Sequence, residues 1–299
     1  MNIIQVMLDA VVASMKVVRQ KQGGQVGAVE VKRDKTLLTA TDKESEAAGL
    51  QVLTGMLSDE IGVNAEERGK VKVGIRGTIL YDPVDGTKPF VIGALSSTVI
   101  AAFYDEVKKQ VTACVVGEPV SGRVWVAEKG NGTGKLQYDF QRHSFEDQPL
   151  KEETCFPCRV SEGSPIGSGA TVFIDLSPGF TRKDELVLSN NEATKLFSLL
   201  FGKYGITMLG SNGLHHALVA NGAEGVAGAI TTAIGGPWDV APVLLVLEAG
   251  GAARAFSVEQ DGKLKERDPL DVFSYHFLVT GNSQATVDEL SGALLSVRP

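Results

Sequence analysis

The chain has 299 residues, 43% hydrophobic and 22% charged, the balance of a folded globular protein long enough for one large domain or two packed together. A formal net charge of −7 argues against a nucleic acid polymer as partner, and an acidic protein that handles an anion needs cations at its site. The three cysteines cannot all pair, no apolar run is long enough to span a membrane and no secretory segment stands out, so a cytoplasmic location is expected.

Along the chain, Ile3, Ile4, Met7, Leu8, Val11, Val12, Met15 and Val18 fall on one stripe and predict a core-facing helix over 1–19. After a break at Gly23-Gly24, Thr39-Ala40-Thr41-Asp42 puts a hydroxyl and a carboxylate where an N-cap belongs, ahead of a helix over 43–61. Strands are predicted over 73–81, 96–104, 111–116 and 123–128, joined by turns such as Asp105-Glu106 and Gly130-Asn131-Gly132. They suggest an antiparallel sheet flanked by the two early helices. Residues 135–157 are polar and aperiodic, which marks a junction or insertion between an N-terminal α+β domain (1–140) and a C-terminal α/β domain (141–299). Beyond it strands (170–174, 206–209, 225–230, then 252–256 and 277–280) alternate with helices (191–201, 213–220, 238–249, and from 285), an α/β pattern.

The segment Asp82-Pro83-Val84-Asp85-Gly86-Thr87 is the most informative. An apolar run that stops on two acids delivers oxygen ligands to a pocket. Asp82 and Asp85 are hard anionic donors of the kind Mg²⁺ prefers, and Pro83 turns the chain so that the Val84 carbonyl can face a metal. Gly86 permits an unusual backbone angle, and Thr87 can open a helix whose free amides hold phosphate. The same residues suit a surface turn, and alone they leave the two readings level. Glu66 and Glu67 follow the early helical region, and Asp239 opens the helix from Trp238; alone these read equally as a solvated turn and a helix cap.

Taken in order, Thr39-Ala40-Thr41-Asp42, Ala65-Glu66-Glu67, Asp82 to Thr87 and Trp238-Asp239-Val240-Ala241 resemble the signature elements of the inositol monophosphatase family of Mg²⁺-dependent phosphomonoesterases. Gly210-Ser211 fits a further element. The resemblance implies a layered αβαβα sandwich, often a homodimer, acting on a small phosphorylated substrate away from membranes. It implies two or three Mg²⁺ ions: one on Glu66, Asp82 and the Val84 carbonyl, a second on Asp82, Asp85 and Asp239, and a weaker third touching Glu66. It implies that Asp42 accepts the hydroxyl proton of Thr87, so that Thr87 orients the attacking water. Gly86, Thr87, Lys88, Gly210, Ser211 and Asn212 would then line the substrate pocket. The chemistry agrees, because phosphate monoesters repel hydroxide and bound metal lowers the pKa of water from ~15.7 toward ~7. Acids packed together without cations would repel one another, so the working site is expected to be metal-loaded.

Departures from the pattern bear on substrate and geometry. Ala65 replaces a glycine, which would cost on the order of 1 kcal/mol if the position needs a positive backbone angle. Pro242 falls in a first helical turn, where a missing N–H is tolerated. Inositol-specific members place an acid several residues before the Trp-Asp pair, and 230–236 contains none. Lys88 looks more like members acting on histidinol phosphate or adenosine 3′,5′-bisphosphate, and Phe90-Val91-Ile92-Gly93 and Pro119 to Trp125 resemble histidinol phosphatases, although Lys88 equally reads as a surface lysine. A non-catalytic relative that binds metal or phosphorylated ligand is the competing class, and the retention of Asp42, Thr87 and the acids argues for the enzyme. Gly130 to Lys135 imitates a phosphate loop but reads better as a hairpin, since Lys129 and Leu136 break the motif. Cys155 and Cys158 lack a second pair for zinc, and His215-His216 point to different faces of one helix, with one expected in the core.

Overall fold

Helix α1 (Ile3–Lys21) starts on Asn2, whose side-chain oxygen accepts the amides of Ile4 and Gln5. Its predicted stripe is buried, from Met7 and Leu8 to Met15 and Val18. Thr39 and Asp42 form a reciprocal capping box that opens α2 (Ala40–Met56). This helix ends short of residue 61, because Ile61–Ala65 is a strand paired in parallel with Gly77–Asp85. The structure is a computed structural model that describes residues 2–23, 29–32, 37–145, 156–161, 169–176, 181–182, 185–186 and 188–298. Gly24, Cys155 and residues 146–155 of the polar segment lie outside the described residues.

Among the described residues the first sheet has nine strands. From one edge the order is Ser144–Phe145, Gly132–Asp139, Arg123–Glu128, Gln110–Gly117, Thr98–Asp105, Gly77–Asp85, Ile61–Ala65 and Gly69–Lys72, with Phe156–Cys158 also pairing to Gly132–Asp139. Three expectations change here. The predicted strand over 73–81 begins at Gly77 and runs through both aspartates, while Val73 and Ile75 are 79% and 78% exposed. The supposedly aperiodic 135–139 belongs to a strand in which Leu136 and Tyr138 are buried between half-exposed Lys135, Gln137 and Asp139. Its polar half imitates a loop in composition. The sheet is also not purely antiparallel, given the Ile61–Ala65 pairing. Helix α3 (Thr87–Val91) is a short turn directly after the aspartates.

Strand alternation builds the layers. Ile79, Val99, Ala101 and Val115 face α1 and α2, whereas Leu80, Ile100, Ala102 and Val116 face the opposite way. The second sheet orders Gly205–Thr207, Thr171–Asp175, Val226–Thr231, Phe277–Gly281, Ala252–Val258 and Leu264–Arg267, the first three parallel. Helices α4 (Asn190–Phe201), α5 (Asn212–Ala220), α6 (Val243–Glu248) and α7 (Gln284–Val297) complete the chain. Leu214, Ala217, Leu244 and Leu245 of α5 and α6 fill the space between the sheets, against Leu80 and Ile100 on one side and Ala229 and Leu278 on the other. Leu196 and Leu200 of α4 and Leu290 and Leu294 of α7 cover the far face. The result is the expected αβαβα stack. The helix predicted over 238–249 is divided into a 3₁₀ turn, Pro237–Asp239, and α6, with Pro242 at the N-cap of α6. Asp239 therefore ends a tight turn and does not open the long helix.

Candidate metal centre and active site

In a regular strand, residues three apart face opposite ways. Here Asp82 pairs with Ile100 and Asp85 with Thr98, so three steps on one strand oppose two on its neighbour. This bulge, centred on Pro83 and Val84, turns both aspartates toward the gap between the sheets. Pro83 suits the irregularity because it has no N–H to contribute to the ladder. Gly86 then adopts φ 88°, and a Cβ there would lie 2.9 Å from the Gly210 carbonyl oxygen. Loop 210–211 thus rests against the motif.

Asp85 is held on all sides. Its Oδ2 accepts Ser211 Oγ at 2.5 Å, Thr98 Oγ1 at 2.7 Å and the Gly213 amide at 2.8 Å, and its Oδ1 accepts the Asn212 amide at 3.2 Å. A Cβ on Gly213 would come within 2.9 Å of that carboxylate, so α5 can begin this close only with glycine. Asp239 arrives from the second half, its Oδ2 accepting the amides of Gly235 and Gly236 at 2.6 and 3.0 Å. One carboxylate oxygen from each of Asp82, Asp85 and Asp239 lies within 4.8 Å of the others.

Glu66 follows Ala65 at the end of its strand, its amide donating to the Tyr81 carbonyl at 2.9 Å. Ala65 sits in extended backbone, since the only described non-glycine residues at positive φ are Lys109 and His143, so the conformational cost attached to that substitution does not arise. Lys32 Nζ bridges Glu66 Oε1 at 2.8 Å and Glu67 Oε1 at 2.6 Å. From α2, the fully buried Glu46 accepts the Glu67 amide at 2.8 Å and the Arg68 amide at 3.4 Å. Asp42 is buried on the same helix. Its Oδ2 serves the capping box, and its Oδ1 accepts Thr87 Oγ1 at 2.9 Å.

Electrostatics follow from this crowding. Burial pushes the Asp82 carboxyl well up, and Glu66, Asp85 and Asp239 push it further. Burial likewise raises Asp85, against the pull of Ser211, Thr98 and the α5 amides. Asp239 is raised well above its usual range by burial and then by Asp85. Burial raises Glu66 despite Lys32, and Glu67 to about 7. Carboxyls in this state either keep protons or share a cation. An oxygen-only donor set of buried carboxylates is what a hard divalent ion selects, so the residues present fit Mg²⁺.

The sequence profile of the inositol monophosphatase family matches residues 2–290. The chain belongs to the inositol monophosphatase family. Family membership makes it one of a superfamily of phosphatases that are in general Mg²⁺-dependent, and the acidic cluster is present here. Among solved structures, the fold is similar to the extragenic suppressor protein suhB of Bartonella henselae (21% identity, TM-score 0.73, covering 98% of each chain). It is also similar to the IMPase of Thermotoga maritima (22% identity, TM-score 0.73, covering 99% of this chain and 98% of that one). An IMPase/NADP phosphatase shares the fold at 19% identity and TM-score 0.63, covering 95% of this chain and 91% of the other. A search of curated proteins by sequence finds no match.

Of the residues singled out from the family pattern, Asp42, Glu66, Asp82, Val84, Asp85, Thr87 and Asp239 come together. Ser211 and Asn212 turn toward Asp85, and Gly210 is exposed beside Gly86. Lys88 is exposed on α3. Both His215 and His216 are fully buried, not one of the two; His215 accepts the Leu209 amide and stacks on Phe173, and His216 meets Thr280. The Val258 amide donates to His276. Cys158 is buried, with its sulfur 4.0 Å from Asn221 Oδ1. Residues 130–132 form the expected hairpin turn between strands. Glu46, Thr98, Lys32 and Asp175 were not legible as site residues. A signal existed for two: Glu46 lies one turn after Asp42 on a predicted helix, and Asp175 ends a predicted strand as Asp82 does.

Proposed function

We propose that the chain is a Mg²⁺-dependent phosphatase that hydrolyses the phosphate monoester of a small alcohol. The observation that carries this is the convergence of Asp82, Asp85 and Asp239, from both halves of the chain, with ligand atoms within 4.8 Å. Glu66, Asp82, the Val84 carbonyl, Asp85 and Asp239 would hold the metal, two or three ions in all, with residues 1–140 as the domain carrying most ligands and 141–299 the domain supplying Asp239. When bound, Mg²⁺ supplies Lewis acidity, neutralising phosphoryl charge and making water acidic enough to attack near neutral pH.

The chain's own residues then do the positioning. Asp42 Oδ1 takes the hydrogen of Thr87 Oγ1, which turns the Thr87 lone pairs outward to accept from a water molecule and aim it. The Gly86 and Thr87 amides at the start of α3 offer donors to phosphoryl oxygens. Ser211, Thr98 and the amides of α5 fix Asp85, which supports a rigid ligand set. Gly210, Ser211, Asn212 and Lys88 border the leaving-group side. Inositol phosphates, histidinol phosphate and adenosine 3′,5′-bisphosphate are the candidate esters, and the similar IMPase/NADP phosphatase was solved with NADP and Ca²⁺.

The test is Mg²⁺-dependent phosphate release over those esters and sugar phosphates, by the native chain and by Asp85→Asn. Release is expected from the native chain. Asp85→Asn is expected to lose roughly 10³-fold or more in kcat with its fold intact, because a ligand is removed. Near-normal turnover of that variant at saturating Mg²⁺ would contradict the ligand set.

A further inference from the structure

Asp175 has no part in the roles above. It ends the strand Thr171–Asp175, opposite Thr231 on the parallel neighbour. Its carboxylate Oδ2 accepts Asn212 Nδ2 at 3.4 Å, and the carboxylate also accepts the Ala233 amide. Asn212 is fixed from both ends, its backbone amide on Asp85 and its side-chain oxygen taking Thr231 Oγ1 at 3.4 Å. Asp175 therefore sits one residue away from the metal-side aspartate, with Asn212 between them. It is half-buried, and its carboxylate lies beside Asn212 of the proposed substrate pocket. A carboxylate has about four acceptor positions, and these contacts use two.

The neighbouring segment sharpens the point. Residues 230–236 contain no acid, and the Thr232 hydroxyl is committed to the Asp175 backbone oxygen at 2.6 Å. An anionic acceptor for the leaving group cannot come from that loop. The adjacent parallel strand supplies one at the same sheet end. Placing a further negative charge beside Asp85 and Asp239 costs free energy unless a donor meets it.

We infer that Asp175 is a specificity-determining residue that accepts an O–H or N–H donor on the carbon skeleton of the leaving group, so that the substrate is a phosphorylated polyol or amino alcohol. This rests on the phosphatase reading above. A site built around a hydrogen-bond acceptor rejects an analogue that lacks the donor, because the acceptor is desolvated and left unpaired.

The experiment compares the native chain with Asp175→Asn and Asp175→Glu on inositol 1-phosphate, histidinol phosphate and the donor-free ester 4-nitrophenyl phosphate. Mg²⁺ affinity is measured alongside by calorimetry. On the better donor-bearing ester, kcat/KM is expected to fall by roughly 30-fold or more in both variants, against less than about threefold on 4-nitrophenyl phosphate. Mg²⁺ affinity is expected to stay unchanged. A larger loss on histidinol phosphate assigns an ammonium donor, and a larger loss on inositol 1-phosphate a hydroxyl. Equal losses on all three esters, or a weakened Mg²⁺ affinity, overturn the inference and leave the phosphatase reading standing. No Mg²⁺-dependent release from any ester by the native chain overturns both.

Discussion

Thr87 and Asp42 make the smallest testable unit of the site. The hydroxyl is 2.9 Å from Asp42 Oδ1 and is no closer than 3.2 Å to the Val84 carbonyl, so its hydrogen belongs to the carboxylate. Thr87→Ala should lower kcat by roughly 10²- to 10³-fold while Mg²⁺ affinity, read by calorimetry, changes little, and Thr87→Ser should recover most of the rate. A defect confined to metal binding would reassign Thr87 as a ligand support. This pair was legible only through the family resemblance, since on local chemistry alone Asp42 reads as part of a helix cap and Thr87 as a helix start. Lys32 and Thr98 were not. Their relevance depends on partners far along the chain, Glu66 and Asp85, and nothing in their own neighbourhood signals it.

Helix α2 acts as a bracket for three pieces of the site at once. Asp42 takes Thr87, Ser45 donates to the Pro83 carbonyl at 3.0 Å, and Glu46, one turn on from Asp42, takes the amides after Glu66. Removing Glu46 leaves two amides without their acceptor, at a cost of about 1–3 kcal/mol, and loosens the segment that aims Glu66. Glu46→Ala should weaken Mg²⁺ binding by about 10-fold or more, and Glu46→Gln, which keeps an acceptor, should weaken it less. Equal Mg²⁺ affinity in the two variants would remove Glu46 from the positioning role. At this scale the sequence was read unevenly. The capped start of α2 and the strand 123–128 were found in place, since a hydroxyl cap and a short run of valines around a tryptophan act locally. The bulge at Pro83-Val84 and the division at Pro242 were not, because a proline fixes one backbone angle without saying how its neighbours rejoin a sheet or a helix.

For the whole molecule, the acidic cluster sets a pH signature. Asp82, Asp85 and Asp239 are raised, Asp175 to about 6 and Glu67 to about 7, all first by burial. A raised carboxyl binds a proton more tightly folded than unfolded, so its stabilising contribution is present at low pH and is lost as pH rises from about 4 through about 7. The buried His215 and His216 work the other way: burial lowers both to about 3, and folding loses stability as pH falls through about 6.5. The informative quantity is therefore the rise in Tm between chelator and saturating Mg²⁺ at each pH. It should be larger at about pH 8 than at about pH 5.5, because protons compete with the ion for the same oxygens. At about 100 times Kd the ion contributes ~2.7 kcal/mol, several degrees of Tm for a chain of this size. An equal rise at both pH values would argue that the ion does not bind these carboxyls. The class of fold was legible at this scale from alternating strands and helices; the placement of α5 and α6 between two sheets was not, because both faces of a middle layer are apolar and carry no directional pattern.

Asp239 follows Asp82 and Asp85 by about half the length of the chain. During translation the earlier acids leave the ribosome long before the third member of their cluster. A product ending ahead of Asp239 already holds Glu66, Asp82 and the Val84 carbonyl, the proposed place of one ion, but lacks the third acid of the Asp82, Asp85 and Asp239 cluster. The complete acid cluster therefore exists only once both halves of the chain have been made and packed together.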